Sequence, residues 1–187
     1  YLLELAHRDE PVPADIHELG GAFDEHAKTL ADWVHDHLER DTTAIGHVLN
    51  AAANQVLTEN QANALANLCE SLTGPQLMAF LGCLAPLRLW ACNQPGLAEA
   101  VMRRARETNT GEEVREIVRR DGLTLRGWGW TNGVSEEVNR ARHASAKAAE
   151  QTGDDELRTE FLAVRDRYQS EVDQLAEEHR REEEEDW

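Results

Sequence analysis

The sequence is poor in lysine, aromatic residues, proline and cysteine, and it lacks a long uninterrupted apolar run. Aromatic residues make up 5% of the chain, and lysine occurs only at Lys28 and Lys147, so arginine supplies nearly all of the positive charge. Strands favour β-branched and aromatic residues, whereas the alanine, leucine, glutamate and arginine that dominate here favour helices. The composition therefore predicts an all-α protein.

The most apolar stretch, Leu72–Cys92, is too interrupted to cross a membrane, which takes about 20 consecutive apolar residues. Pro86 and Arg88 break it, and only Gln76–Ala85 has the pattern of an uninterrupted helix interior. A helix that is apolar on every side has to be covered by other elements. We expect Leu72–Cys92 to form a buried central helical hairpin that breaks near Pro86.

Three cysteines, Cys69, Cys83 and Cys92, all lie in the apolar centre of the chain. An odd number of thiols in apolar surroundings argues against a disulfide framework and for a reducing compartment. Their spacing matches no zinc template, so we interpret them as packing residues. The first residues, YLLELAHRDEP, turn acidic too early for a secretory signal. These features predict a cytoplasmic protein.

Signatures of catalysis are also missing. The sequence contains no G-x-S-x-G elbow, and Gly127 and Gly129 are not followed by the GK[ST] of a phosphate-binding loop. No histidine lies near the cysteines in the sequence to make them nucleophiles. We therefore predict a protein that is not an enzyme, with no catalytic residues and no cofactor.

Two histidine–carboxylate pairs have the i, i+3 spacing used in di-metal helical bundles: Glu4 with His7, and Asp32 with His35. Such a site also needs inward-facing glutamates from two further helices. Asp32 lies off the apolar stripe of its own helix, and 36 carboxylates make chance spacings common. We predict no metal site, and a metal-dependent helical enzyme is kept only as a weaker alternative.

Apolar residues recur at helical spacing along most of the chain, which predicts an irregular bundle of about eight helices around the central hairpin. Thr58 and Gln61 form a capping-box pattern, Gly74-Pro75 starts the central helix, and Thr110 and Ser135 are candidate N-caps. The predicted helices span residues 15–40 (weakened at Gly20-Gly21), 43–56, 59–72, 75–85, 97–107, 111–121, 135–151 and 154–181. Residues 93–96 are predicted to form a turn, and residues 123–133 a loop or small hairpin.

The last predicted helix is long and amphipathic. We divide the chain into a helical bundle, residues 1–153, and this helix with its acidic tail, residues 154–187, packed on the same domain. Its apolar stripe advances in steps of 3, 4, 4 and 3 through Phe161, Val164, Tyr168, Val172 and Leu175. Two interpretations stay open: the stripe packs on the N-terminal helix of the same chain, or it binds a partner chain.

Charge is distributed unevenly along the sequence. The net charge is −17, but residues 103–147 hold 10 basic and 7 acidic residues, whereas residues 1–102 and 148–187 each carry a net −10. We call residues 103–147 the basic segment. Arginine beside exposed aromatic residues can bind a nucleic-acid backbone and stack on its bases. The candidate contact residues are Arg103, Arg104, Arg106, Arg115, Arg119, Arg120, Arg126, Trp128, Trp130, Arg140, Arg142 and Lys147.

A second interpretation of the basic segment is structural. Glu112 with Arg115, and Glu116 with Arg119 and Arg120, have the spacing of ordinary ion pairs on a helix surface. The two tryptophans of the segment would then fill the core.

Together these patterns favour a non-enzymatic helical subunit of a larger assembly that acts through contacts with other protein subunits, either copies of itself or different chains. The alternative is a small helical subunit of a nucleoprotein complex, for example an RNA-guided effector. In that case the basic segment would contact the backbone of RNA or single-stranded DNA.

Overall fold

The computed structural model describes residues 26–53, 57–85, 87, 89–120 and 132–185. Within these ranges the chain forms nine α-helices and no strand, which confirms the predicted all-α bundle. The helices are α1 (Ala27–His37), α2 (Thr42–Ala53), α3 (Glu59–Cys69), α4 (Gly74–Leu84), α5 (Trp90–Asn93), α6 (Pro95–Glu107), α7 (Gly111–Arg120), α8 (Asn132–Gln151) and α9 (Asp155–Glu185). No helix in these ranges is long and apolar enough to cross a membrane.

One hydrophobic core joins the helices. α3 packs against α1 and α6, α2 packs against α4, and α9 packs along α8 and α7. Phe80 of α4 and Phe161 and Tyr168 of α9 are among its largest fully buried side chains. Fully burying a large apolar side chain contributes about 1.5–3 kcal/mol, so both the central helix and the first half of α9 stabilise the fold.

Capping boxes start both α3 and α4. The Thr58 hydroxyl accepts a hydrogen bond from the Gln61 amide at 3.2 Å, and the Gln61 side chain accepts one from the Thr58 amide at 3.0 Å, as the sequence predicts. Thr73 and Gln76 repeat this arrangement ahead of α4. The start of α4 at Gly74-Pro75 was predicted from the proline, but its capping box was not.

The central hairpin breaks where the proline predicts it. α4 ends at Leu84, before Pro86, and the short α5 follows. Leu89 lies between them in the left-handed region, with φ of 55°. This conformation costs a leucine about 1–2 kcal/mol. Its side chain and that of Leu87 are buried in the core, which offsets that strain.

The prediction that the central helix is covered on every side is wrong for one face of α4. Gly82 is exposed, and Met78 and Ala79 are only partly buried. Glycine and alanine present little apolar area, so leaving this face in water costs little. The opposite face, with Leu77, Phe80 and Leu84, is fully buried.

Two predicted boundaries shift. The turn expected at residues 93–96 is confined to Gln94, because Pro95 is accepted in the first turn of α6. α8 begins at Asn132, so Ser135 lies inside the helix and is not its N-cap. The predicted helix starting at residues 15–22, the end of the second helix and the loop at residues 123–133 fall wholly or partly outside the described residues.

A Schellman motif reverses the chain between α6 and α7. Asn109 has φ of 58°, the Thr110 amide donates to the Ala105 carbonyl at 2.8 Å, and the Asn109 amide donates to the Arg106 carbonyl at 3.4 Å. Asparagine tolerates the left-handed conformation that this turn needs. The motif brings α7 back alongside α6 and positions both helices beside the start of α9.

The three cysteines are buried and form no disulfide. Burial raises the pKa of the Cys69 thiol to about 12 and that of Cys83 to about 11. A thiol with so high a pKa carries little reactive thiolate at neutral pH. Cys69, Cys83 and Cys92 are packing residues, as their sequence context predicts.

Candidate functional site

The basic segment folds against the acidic start of α9. Val114 and Val118 form the buried face of α7, which packs on α9. The arginines that flank these valines are therefore brought close to carboxylates of α9. The sequence-predicted pairs within α7 are present as well: Glu112 with Arg115, and Glu116 with Arg119 and Arg120 at 3.6 and 2.6 Å.

Arg106 joins α6 to the N-terminus of α9. Its Nη1 lies 2.7 Å from Asp154 Oδ2 and its Nη2 lies 2.9 Å from Oδ1, so the guanidinium binds this carboxylate through both nitrogens. The same Nη2 lies 2.8 Å from Glu156 Oε2. Hydrogen bonds to Asp154 and Glu156 hold the pKa of Arg106 above its usual value. The bond to Arg106 is also the main cause of the lowered pKa of Asp154.

Asp154 has a second role as the N-cap of α9. Its Oδ1 accepts hydrogen bonds from the amides of Glu156 and Leu157, both at 3.1 Å. A carboxylate at this position also interacts favourably with the positive end of the helix dipole. One side chain therefore starts α9 and fixes it to α6.

Arg119 and Glu160 form the most buried ion pair of the basic segment. Arg119 Nε and Nη2 lie 2.7 and 2.8 Å from the two carboxylate oxygens of Glu160. The Glu160 side chain is only 4% exposed, whereas that of Arg119 is 50% exposed. The hydrogen bonds to Glu160 raise the pKa of Arg119. Because a buried carboxylate needs a partner, Arg119 fixes α7 to α9.

Three other arginines donate to backbone carbonyls at chain turns and helix ends. Arg104 Nε donates to the Leu72 carbonyl at 2.6 Å, and Arg167 Nη1 donates to the Arg119 carbonyl at 2.9 Å. Arg158 donates to the carbonyl of Ala149 in the last turn of α8 and to that of Thr152, which follows the helix. The planar guanidinium can donate to two such carbonyls at once in a fixed geometry, whereas the ammonium group of lysine is a single flexible point of charge. These contacts at helix ends therefore favour arginine, which fits the scarcity of lysine in the sequence.

The remaining predicted contact residues are more exposed. Arg103 lies 3.3 Å from Glu70, Arg140 pairs with Glu136, and Arg142 donates to Gln169. Lys147 is exposed on α8. Arg126, Trp128 and Trp130 lie outside the described residues. The structure thus brings Arg106, Arg115 and Arg119 together, but around carboxylates of α9, and it places Arg140, Arg142 and Lys147 on a different helix.

The predicted partner-binding stripe of α9 lies mostly in the core of its own chain. Phe161, Val164 and Tyr168 are fully buried, and Val172 is partly buried against the same core. The stripe packs on α8 and α7, and not on α1 as one interpretation held. The side chain of Leu175 is not among those that the structure describes. Within one chain, the first three residues present no surface to a partner.

Beyond the core, α9 continues as what we call the projecting end, residues 173–185. At 1.5 Å per residue these 13 residues extend for about 20 Å. The described side chains in this part are exposed or partly exposed: Asp173, Gln174, Ala176, Glu177, Arg180 and Arg181. Glu177 pairs with both Arg180 and Arg181 on the same helix. Ion pairs at this spacing stabilise a helix through contacts along its own surface.

Metal-ligating residues do not gather in the described part of the chain, where no group of three or more histidine, cysteine, aspartate or glutamate residues could hold an ion. Asp32 instead binds Lys28 at 2.6 Å, and His35 Nδ1 lies 3.4 Å from Asp36 Oδ1. The other candidate pair, Glu4 and His7, falls outside the described residues.

Replacing Asp154 with asparagine should lower the free energy of unfolding by about 1–2 kcal/mol at pH 7, because the charge-assisted bond to Arg106 is lost while the amide oxygen still caps α9. The folded-state pKa of Asp154 lies below its ordinary value of 3.8. Its stabilising contribution is therefore complete above about pH 4 and disappears as the pH falls through the folded-state pKa. Urea unfolding of the wild type and of Asp154→Asn at several pH values between 7 and 3 measures how this difference in the free energy of unfolding depends on pH.

The adjacent Asp155 provides the control, since it is exposed and pairs only with Arg158 of its own helix. Asp155→Asn should change stability by less than about 0.5 kcal/mol at any pH. A loss for Asp154→Asn that persists unchanged at pH 3 would contradict the charge-based explanation.

The chain matches no known protein family, no curated protein and no solved structure.

Proposed function

We propose that this chain is a non-enzymatic helical subunit of a larger assembly and that it contacts a protein partner through the projecting end of α9. One observation carries the proposal: the burial of α9 stops at Tyr168, with Val172 partly buried, whereas the helix continues to Glu185. A helix that extends about 20 Å past the core presents a surface that the described part of the chain does not cover.

The charge of this surface indicates the chemistry of the partner. Residues 173–187 contain eight acidic and two basic residues. A second copy of the chain would bring the same negative charge, and the two ends would repel each other. A partner with a basic, helix-binding surface is the complementary one. The odd number of cysteines, all of them buried, supports a cytoplasmic setting, where thiols stay reduced.

Nucleoprotein assembly is the alternative, and one feature of α8 favours it. Arg140, His143 and Lys147 are all exposed, and their spacing places them on one face of the helix. Contact with a nucleic-acid backbone would use this face and not Arg106 or Arg119, whose guanidinium groups bind largely buried carboxylates. Arg140 also pairs with a carboxylate, that of Glu136, but both side chains are mostly exposed, so a phosphate can replace this partner. Such binding would weaken steeply with salt, because it depends on neutralising phosphates.

Affinity capture from the source cells, followed by mass spectrometry, tests the proposal when three proteins are compared. The wild type should enrich a specific protein, and Asp173→Lys with Glu177→Lys should lose it, because two negative charges of the projecting end are replaced by two positive ones. Glu113→Lys with Glu150→Lys makes the same change in net charge at exposed positions on α7 and α8. This control should retain the partner. Equal capture by all three proteins would contradict the proposal.

A further inference from the structure

A groove of about 680 Å³ lies between α1 and α3 and is separate from the projecting end. Its floor is apolar and is formed by Ala31, Ala64 and Leu68. Leu68 and Ala31 are buried in the core, and Ala64 is partly buried against it. The small alanine side chains on facing helices leave the depression open.

Charged residues of α1 form one wall of this groove. Asp32 and Asp36 are one helical turn apart, and both are mostly exposed. Lys28 binds Asp32 at 2.6 Å, but an ion pair between exposed side chains contributes at most about 1 kcal/mol, so another cation can replace it. The opposite wall is uncharged and carries Asn67 and Ser71. His35 also lines the α1 wall, with its Nδ1 3.4 Å from Asp36 Oδ1. The α1 wall thus holds two carboxylates against one ammonium group, an excess of negative charge.

The exposed carboxylates and the apolar floor of the groove together indicate which class of ligand it can bind. A small free cation would gain little, because the two carboxylates are in water and their field is screened. A ligand that also covers the apolar floor would exclude water and strengthen its own charge contacts. Residues 26–102, which include both walls of the groove, contain seven acidic and three basic residues, and this net negative charge attracts a basic ligand.

We propose that the groove between α1 and α3 binds a basic helical segment of a protein partner. Two lysine or arginine residues four positions apart on that segment match the spacing of Asp32 and Asp36. Small apolar residues on the same face of the segment lie on Ala31, Ala64 and Leu68. This site uses no residue of α9, so the test of the groove does not depend on whether the projecting end binds a partner.

The test is fluorescence anisotropy with the full chain and a labelled alanine-rich helical peptide that carries lysines four residues apart. Asp36→Lys should weaken binding about tenfold or more, a change of about 1.4 kcal/mol. The charge-matched control Glu150→Lys, an exposed position on α8, should stay within about twofold of the wild type. Asp173→Lys with Glu177→Lys should also bind as the wild type does, which separates this site from the projecting end.

A variant with unchanged charge tests the apolar floor. Ala64→Leu fills the groove, and we expect it to weaken peptide binding by a similar factor while thermal unfolding shows that the protein remains folded. Three results would overturn the proposal: no binding to the wild type, equal weakening by Asp36→Lys and Glu150→Lys, or wild-type affinity in a folded Ala64→Leu protein. Equal weakening would mean general attraction of a polycation to an acidic protein.

Discussion

Replacing Phe161 with alanine should lower the free energy of unfolding by about 3–5 kcal/mol, the range seen when a buried phenylalanine is truncated. Phe161 is fully buried, and it lies on the side of α9 that packs against α8 and α7. Truncation removes its apolar contacts and leaves a cavity that the neighbouring helices fill only in part. Urea unfolding followed by circular dichroism measures the loss.

Leu162 is the matched control, because it is the next residue on the same helix and is only partly buried. Leu162→Ala should cost about 1 kcal/mol, since part of its surface is already in water. If the two variants lost the same small amount, Phe161 would not be a core residue. The apolar stripe of α9 would then be open to a partner chain.

Replacing Arg119 with methionine should lower the urea midpoint by roughly half the Phe161→Ala change, because it leaves a buried charge without its partner. Methionine preserves much of the length of the arginine side chain but removes both hydrogen bonds to Glu160. The expected effect is smaller than for a fully buried pair because Arg119 is half exposed and water can partly replace it.

Arg120 allows the same substitution at the neighbouring position. Its side chain is 77% exposed, and its partner, Glu116, lies one turn away on the same helix. Arg120→Met should leave the urea midpoint unchanged within error, because exposed pairs of this kind contribute little. Equal effects of Arg119→Met and Arg120→Met on the urea midpoint would mean that Arg119 does not stabilise the buried carboxylate of Glu160.

The helices could be predicted from the sequence where their signals are local. The capping box at Thr58 and Gln61 and the proline at the start of α4 each determine a boundary within a few residues. The start of α8 differs from the prediction because Ser135 matches an N-cap pattern, whereas the helix already begins three residues earlier, at Asn132.

The ion pairs between helices could not be predicted, because they join residues far apart in the sequence. Arg106 and Asp154 are 48 residues apart, and Arg119 and Glu160 are 41 apart. Spacing rules for a single helix identify only pairs three or four residues apart. The alternation of a basic segment with acidic flanks is compatible with ion pairs between them, but the same charge composition fits a nucleic-acid surface equally well.

Whether the chain acts through protein contacts or binds nucleic acid through the basic segment is tested most directly by titrating labelled single-stranded RNA with the wild-type protein at low salt and recording fluorescence anisotropy. We expect no binding, because Arg106, Arg115 and Arg119 are held by carboxylates and the net charge of −17 repels phosphates. Binding that weakens with salt and is abolished by Arg140→Glu with Lys147→Glu would contradict this account and favour the nucleoprotein alternative.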